Sequence, residues 1–505
     1  MTSDSFSFVD DFDALCLEKH NDKMIIYDSG VDTICFSYLE VYEYTRRYIK
    51  FFQENGLKGG DAVVAIMPNS PEMIICFFAA MLYGLKFAPL PCTVSRREFN
   101  NWINLVHPKL VIKKEEIAEY DSEIKVWNCA CDGDLSWLPL EECNIHSDMA
   151  KVYLMTSGTT GTPKAMSINI DKLWSSGKSF VNYYGIENSM YCFWNYLPMS
   201  YLGGLYNLAL IPLCCKGSFV ISEPFSGKTI LNYWNFVKKY NISALWLVPS
   251  IVQGLLKLSK IIGSKYKYNY ADIIKIAFLG TAPIQTKAKE EFEEVFGIRL
   301  YENFALSEST FLTAENEDDI LFREQGSVGR ILPYVSLKFV PVDGINNINT
   351  IWIKTPYLFD GYLNMDGNVE LETDQDGYFN TKDLGYINED NILVLSGRNR
   401  DIVKKGGLFV SLVEIENVVK QLPFIEDAAA VPIKHDFYGE SYMLCVILCN
   451  KTDVDKQRED IRLWMLENFV SYKMPEKICI YDEFPKTTSG KIQKNQLTKE
   501  IDGEK

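Results

Sequence analysis

The residues Thr156-Ser157-Gly158-Thr159-Thr160-Gly161-Thr162-Pro163-Lys164 follow directly on the strand-like run Val152 to Met155. Hydroxyls in such a loop donate hydrogen bonds to phosphate oxygens, glycines let the backbone come close, and Lys164 adds positive charge. The lysine follows Pro163 instead of a glycine, so this is not a Walker A loop. By themselves the same residues also read as a polar surface turn. Farther along, Glu308 is a hard oxygen donor of the kind magnesium takes, and Asp383 can accept from two hydroxyls. Arg398 offers a planar donor fork, and Lys491, after Gly490, a mobile point charge. Each has a plainer reading as a solvated surface group or a turn residue.

The chain that must position these groups has 505 residues, more than one hydrophobic core usually supports, so two or more folding units are expected. With 47% hydrophobic and 23% charged residues it has ordinary globular usage. A formal charge of -16 repels nucleic-acid backbones and anionic lipids, so nucleic acid is not an expected partner. The start, Met1 to Asp13, lacks a basic, apolar export signal. The longest apolar run, Met73 to Leu85, is shorter than the roughly 20 residues that cross a bilayer. No transmembrane segment is expected. Thirteen cysteines without a framework point to reduced thiols in the cytoplasm, and neither their spacing nor the four histidines suggest a structural metal.

Branched runs at Ala62 to Met67, Leu110 to Ile112, Val152 to Met155, Ala244 to Val248 and Ile274 to Leu279 alternate with helical patterns, which predicts parallel strands with crossover helices. Ser70-Pro71-Glu72 predicts a helix start, with Phe77, Phe78 and Met81 packed inward. No repeat with a period of about 20 to 50 residues is present. Past Ser396-Gly397 the pattern changes. A charged stretch ends in Gly406-Gly407, Ser411 to Glu414 reads as a capping box, and strands at Ala428 to Ile433 and Met443 to Leu448 precede a helix near Asp460 to Phe469 and a polar tail. The expected fold class is therefore α/β: a large N-terminal domain, 1–397, with mostly parallel sheets, and a small α+β C-terminal domain, 398–505.

The loop at 156–164 resembles the signature of the acyl-adenylate-forming superfamily, which includes acyl-CoA synthetases, peptide-synthetase adenylation domains and luciferases. Further matches follow in family order. Phe304-Ala305-Leu306-Ser307-Glu308 is similar to the family's Tyr-Gly-x-Thr-Glu; Gly377 to Gly385 resembles the segment whose aspartate binds ribose; Gly397 to Gly407 is similar to the interdomain hinge; and Pro485 to Ile492 to the C-terminal lysine motif. The resemblance implies an ATP-binding set of Thr156, Ser157, Gly158, Thr159, Thr160, Gly161, Thr162, Thr281, Glu302, Asn303, Phe304, Ser307, Asp383 and Arg398. It implies magnesium at Glu308 and Thr159, catalytic roles for Lys491, Glu308 and Lys164, and a small domain that moves about Arg400. Tyr201 and Gly203, in a Leu197 to Gly204 segment similar to the acyl-site motif, and Lys404, Gly406 and Gly407 would line the acyl and thiol sites. Leu279 to Ile284 resembles the Gly-Ala-Pro-type turn beside adenine and carboxylate.

Ala165, Phe304 and Ala305 depart from the usual glycine, tyrosine and glycine, and Leu412 replaces a frequent proline. None of these removes the magnesium ligand, the ribose aspartate or the lysine. From Tyr191 to Gly217 there is no Asp or Glu, so an α-ammonium would be buried without a partner, and an uncharged acyl group is favoured over an amino acid. The activity this implies is ATP-dependent activation of a small carboxylic acid through acyl-AMP, then transfer to coenzyme A. Alternatives are transfer to the phosphopantetheine of an acyl carrier protein acting in trans, and a nucleotide-binding regulator without catalysis.

Overall fold

The computed structural model describes residues 6–114, 125–128, 149–156, 164–262, 270, 272–282, 284–342, 349–364, 366–398, 401–405, 408–435, 438–469, 471–486 and 492–503. Ala62–Ile66 is wholly apolar and buried along its length, as a strand covered on both faces must be. It pairs in parallel with Lys86–Leu90 and Leu110–Lys113. Lys151–Thr156 extends this sheet beside Lys86–Leu90, then turns back as the antiparallel strand Lys164–Asn169. The second large sheet runs Tyr301–Leu306, Ile276–Leu279, Ala244–Leu247, Cys192–Asn195, Ser218–Ile221 and Lys23–Asp28, all in parallel. Its flanks are antiparallel, with Thr310–Ala314 and then Arg330–Ile331 on one side and Thr33–Ser37 on the other.

Between the sheets lies the helix Pro71–Leu82, capped by Ser70 and started by Pro71. Past Glu72 it is apolar all round, and Phe77, Phe78 and Met81 are fully buried, each contributing about 1.5–3 kcal/mol of transfer free energy. A third, antiparallel sheet of Ser336–Pro341, Asn349–Lys354, Phe379–Ile387 and Leu393–Arg398 follows. The expected domain boundary falls at the end of its last strand.

The small domain has its own core, with Val410, Leu412, Ile415, Leu444 and Val446 at its centre. Ile402–Lys405, Leu408–Ser411, Ile425–His435, Gly439–Leu448 and Ile478–Tyr481 form its sheet. Ser411 caps Leu412–Val419 by accepting from the Glu414 amide. The tail differs from expectation: Lys494–Gly503 is helical, because Leu497 buries completely against the sheet in a cluster with Ala429 and Cys445. Among the described residues no helix is long and apolar enough to cross a membrane.

Candidate active site

Thr156 and Lys164 are paired across the antiparallel ladder, so the loop between them closes a hairpin at the end of its sheet. Residues 157–163, and with them Ser157, Gly158, Thr159, Thr160, Gly161 and Thr162, lie outside the described residues. The next strand in this sheet, Gly361–Leu363, pairs with the strand that Lys164 begins, setting Tyr362 opposite Met166.

Tyr362 is where the two large sheets meet chemically. Its hydroxyl donates to Glu308 Oε1 at 2.6 Å, and the Glu308 carbonyl accepts from the Phe359 amide at 2.7 Å. The phenol is held protonated, first by burial and then by the Glu308 charge, with Arg398 acting in the opposite sense. Arg398 is therefore close enough to be felt at this point. It donates from Nε to Asp383 Oδ1 at 2.7 Å across neighbouring strands. Asp383 is buried and its amide donates to Thr381 Oγ1, which in turn donates to the Ile351 carbonyl. Phe359 packs on both Tyr362 and Phe379, so one aromatic row ties the Glu308 clip to the Asp383 strand. Glu308, held by Tyr362, and the Asp383–Arg398 pair thus lie in the same part of the large domain, beside the strand that Lys164 begins.

A half-buried carboxylate with one oxygen oriented by a phenol suits a hard divalent cation, and Glu308 would hold magnesium here. Bound there, the ion would offset phosphate charge.

The strand Tyr301–Leu306 delivers its residues unequally. Asn303 Nδ2 donates to the Leu279 carbonyl at 3.1 Å, and a Cβ at Gly280 would stand 2.9 Å from Asn303 Oδ1, so only glycine allows this approach. Phe304 is buried, and its amide donates to Thr313 Oγ1. Ser307 is half-buried in the turn before Glu308. Glu302, expected among the nucleotide contacts, turns its carboxylate inward to Lys289 at 3.1 Å. Lys289 also bonds Glu315, whose other oxygen takes Arg323. Alternation along a strand sends neighbouring side chains to opposite faces, so Glu302 and Asn303 cannot both face the ligand. Thr281 has φ of 74° and a buried Oγ1 without a hydrogen-bond partner among the described residues, a strained conformation for a β-branched residue.

Tyr201 follows the strand Cys192–Asn195. Its ring lies on Gly203, where a Cβ would come within 2.5 Å, and its buried hydroxyl has no partner among the described residues. Burial keeps that phenol protonated. Asn69, which sequence reasoning passed over, fixes the preceding backbone by donating to the Leu197 carbonyl and accepting from the Met199 amide. Its partners are far away in the chain, so no local pattern marks it.

In the small domain, Lys404 lies on a strand opposite Phe409, and Gly406 and Gly407 fall in the connection to the next strand, outside the described residues. Arg400 and Lys491 are outside them as well. The neighbours of Lys491 are held: Lys486 bridges Ile492, and Lys494 bonds Asp401 at 3.1 Å and Glu416 at 2.7 Å. Burial would lower the Lys494 pKa, but these two carboxylates outweigh it and raise the value. Lys494 and Tyr362 also escaped the sequence reading, for the same reason as Asn69.

A large domain of mostly parallel sheets is thus followed by a smaller domain with its own core. The AMP-binding enzyme family model matches residues 14–363 and its C-terminal domain model residues 414–491; the chain belongs to the AMP-binding enzyme family. It is an acid–thiol ligase of the AMP-forming type. It is 27% identical to oxalate–CoA ligase of Arabidopsis thaliana, over 88% of this chain and 89% of that one. It is 23% identical to 4-coumarate:CoA ligase 1 of Petunia hybrida, over 93% and 90%. Among solved structures, ATP-bound MatB from Rhodopseudomonas palustris superposes with a TM-score of 0.83 at 23% identity, covering 98% and 99% of the two chains. The o-succinylbenzoate CoA synthetase of Bacillus subtilis with its acyl-adenylate gives 0.81 at 20% identity, covering 96% and 97%.

Proposed function

We propose that this enzyme joins a carboxylic acid to ATP, releasing pyrophosphate, and then passes the acyl group from acyl-AMP to coenzyme A. The observation that carries the reading is the convergence of Glu308, Asp383 and Arg398 beside the hairpin closed by Thr156 and Lys164. In this reading Glu308, with Thr159, holds magnesium, Asp383 and Arg398 take the ribose, Thr281 and Asn303 border the nucleotide, and Lys164 and Lys491 meet the phosphates. Tyr201 and Gly203 separate the acyl site from the thiol path, which Lys404, Gly406 and Gly407 line. Coenzyme A is favoured as the acceptor because the relatives matched over most of the chain are named as CoA ligases.

The domain boundary at 397/398 and a hinge at Arg400 belong to the same proposal. Polar contacts between the domains include Lys257 with Glu426 at 3.1 Å and Gln285 with Asn417 at 3.4 Å. The exposed ion pair is worth about 0–1 kcal/mol, little to break if the small domain turns. The described cysteines form no disulfide with one another, which suits a reducing compartment, and we place the enzyme in the cytoplasm.

Incubation of the full chain with ATP, magnesium, coenzyme A and a panel of acids should give AMP, pyrophosphate and an acyl thioester. ADP and inorganic phosphate as products would overturn the reading.

A further inference from the structure

The strands Cys192–Asn195 and Ala244–Leu247 run in parallel with Ala244 beside Phe193, so two residues on, Trp246 stands beside Asn195 on the same face. Both side chains are fully enclosed, Asn195 at 0% exposure and Trp246 at 1%. Asn195 spends its amide hydrogens on the carbonyls of Gly204 and Leu208, at 2.9 and 3.1 Å, which fixes the orientation of its amide group. Its Oδ1 is left without a partner among the described residues, and so is Trp246 Nε1. An unpaired acceptor and an unpaired donor therefore belong to adjacent residues on neighbouring strands and do not satisfy each other.

Their surroundings are apolar. Phe180, Phe278 and Phe311 pack around the Trp246 ring, and Tyr206 packs on Phe311. The strands Cys192–Asn195, Ala244–Leu247, Ile276–Leu279 and Thr310–Ala314 and the helical segment Gly203–Leu210 contain no Asp, Glu, Lys, Arg or His. The neighbouring helix Ile170–Tyr183 does carry charges, but each is engaged elsewhere: Asp171 with the Phe8 amide, Lys172 with Asp360, and Lys178 with Asp11. The pair lies at the carboxyl ends of the parallel strands, next to the segment that begins just after Tyr201, where an open α/β sheet binds its ligands.

We infer that Trp246 Nε1 and Asn195 Oδ1 read a hydroxyl group on the acyl substrate, so that the acid activated is a neutral, hydroxylated monocarboxylic acid. A hydroxyl accepts from the indole and donates to the amide oxygen with one atom, which fits residues on strands about 4.8 Å apart. A carboxylate accepts only and would face the Asn195 oxygen without a proton. An ammonium donates only and would face the indole N–H. An ether or a hydrocarbon leaves one or both groups unpaired, and sites built around a substrate hydroxyl reject the analogue lacking it strongly. The inference rests on the ligase reading above for the place of the acyl group.

The test compares matched acids on the full chain: 4-hydroxybenzoate, benzoate and 4-methoxybenzoate, and 3-hydroxybutyrate with butyrate. Acid-dependent pyrophosphate release gives kcat/KM, and calorimetry gives binding of the same acids without turnover. In at least one set the hydroxylated acid should lead by about 10²-fold or more in kcat/KM and in binding. Trp246→Phe, which keeps an aromatic ring in the stack, should bring that ratio to within about threefold. Equal behaviour of hydroxylated and unhydroxylated acids in both sets overturns the inference, as does a preference that survives Trp246→Phe; the pair would then hold only a buried water. If Trp246→Phe does not fold, the wild-type calorimetric ratios decide alone. If no acid yields pyrophosphate, the ligase reading fails, while calorimetry still decides the hydroxyl.

Discussion

Behind the strand that delivers Asn303 the large domain buries a dense group of charges, whereas the wall around Trp246 contains none. On the first side Lys289 bridges Glu302 and Glu315, and Arg323 joins Glu315 to Glu293 at 3.0 Å to each. On the second side aromatic rings fill the space and the polar groups are neutral. The contrast shows two ways one sheet can be backed. On the proposed reading, the fixed charge network would position the nucleotide motif without contacting it, and the neutral wall would let the acyl group be judged by hydrogen bonding and shape.

The comparison breaks most readily at Lys289. Lys289→Met strands the Glu302 carboxylate in the interior and leaves Glu315 to Arg323 alone, and about 3–5 kcal/mol of stability should be lost, read as a fall in the denaturation midpoint. A small change there would mean that the network is dispensable. Glu302 sharpens the same point through pH. Burial is the main cause that raises its pKa to about 7, above the ordinary carboxylate value of 4.5, so the folded chain keeps this proton to higher pH than the unfolded chain. Stability should therefore fall as pH rises from about 4.5 to about 7, and Glu302→Gln should show less of that fall than the wild type. Identical pH slopes in the two proteins would remove Glu302 as the source.

Next in size is Lys491→Ala, expected to slow acyl-AMP formation by about 10²- to 10³-fold while acyl-AMP supplied directly still yields thioester. Equal losses in both half-reactions would contradict its assigned role. Tyr362→Phe removes the hydrogen bond that orients Glu308 and should raise the magnesium needed for half-maximal activity about tenfold. An unchanged magnesium requirement would place the metal elsewhere. The smallest effect is expected at Lys178, whose contact with Asp11 is 3.6 Å long and partly exposed at the margin of the neutral wall. Lys178→Met should shift stability by no more than about 1 kcal/mol. A larger loss would show that charge matters on the acyl side too.

The repeating parts of this protein were legible in its residues. Apolar runs of strand length became the strands of two sheets, and Ser70-Pro71 started a buried helix, because capping, proline geometry and burial periodicity act over a few positions. The order of the motifs from Thr156 to Lys491 marked an adenylate-forming chain, since a loop that holds phosphate must carry its glycines and hydroxyls in sequence. Side-chain direction was not legible in the same way. Glu302 stands one residue from Asn303, yet only strand pairing decides which of them faces inward. A tail read as polar became a helix because Leu497 finds a hydrophobic face on a distant sheet. Asn69 with Leu197, Glu308 with Tyr362, Lys494 with Asp401, and Trp246 beside Asn195 are all pairs between separate elements. Such contacts depend on how the sheets pack and in what register, and so they were settled only when the chain closed on itself in three dimensions.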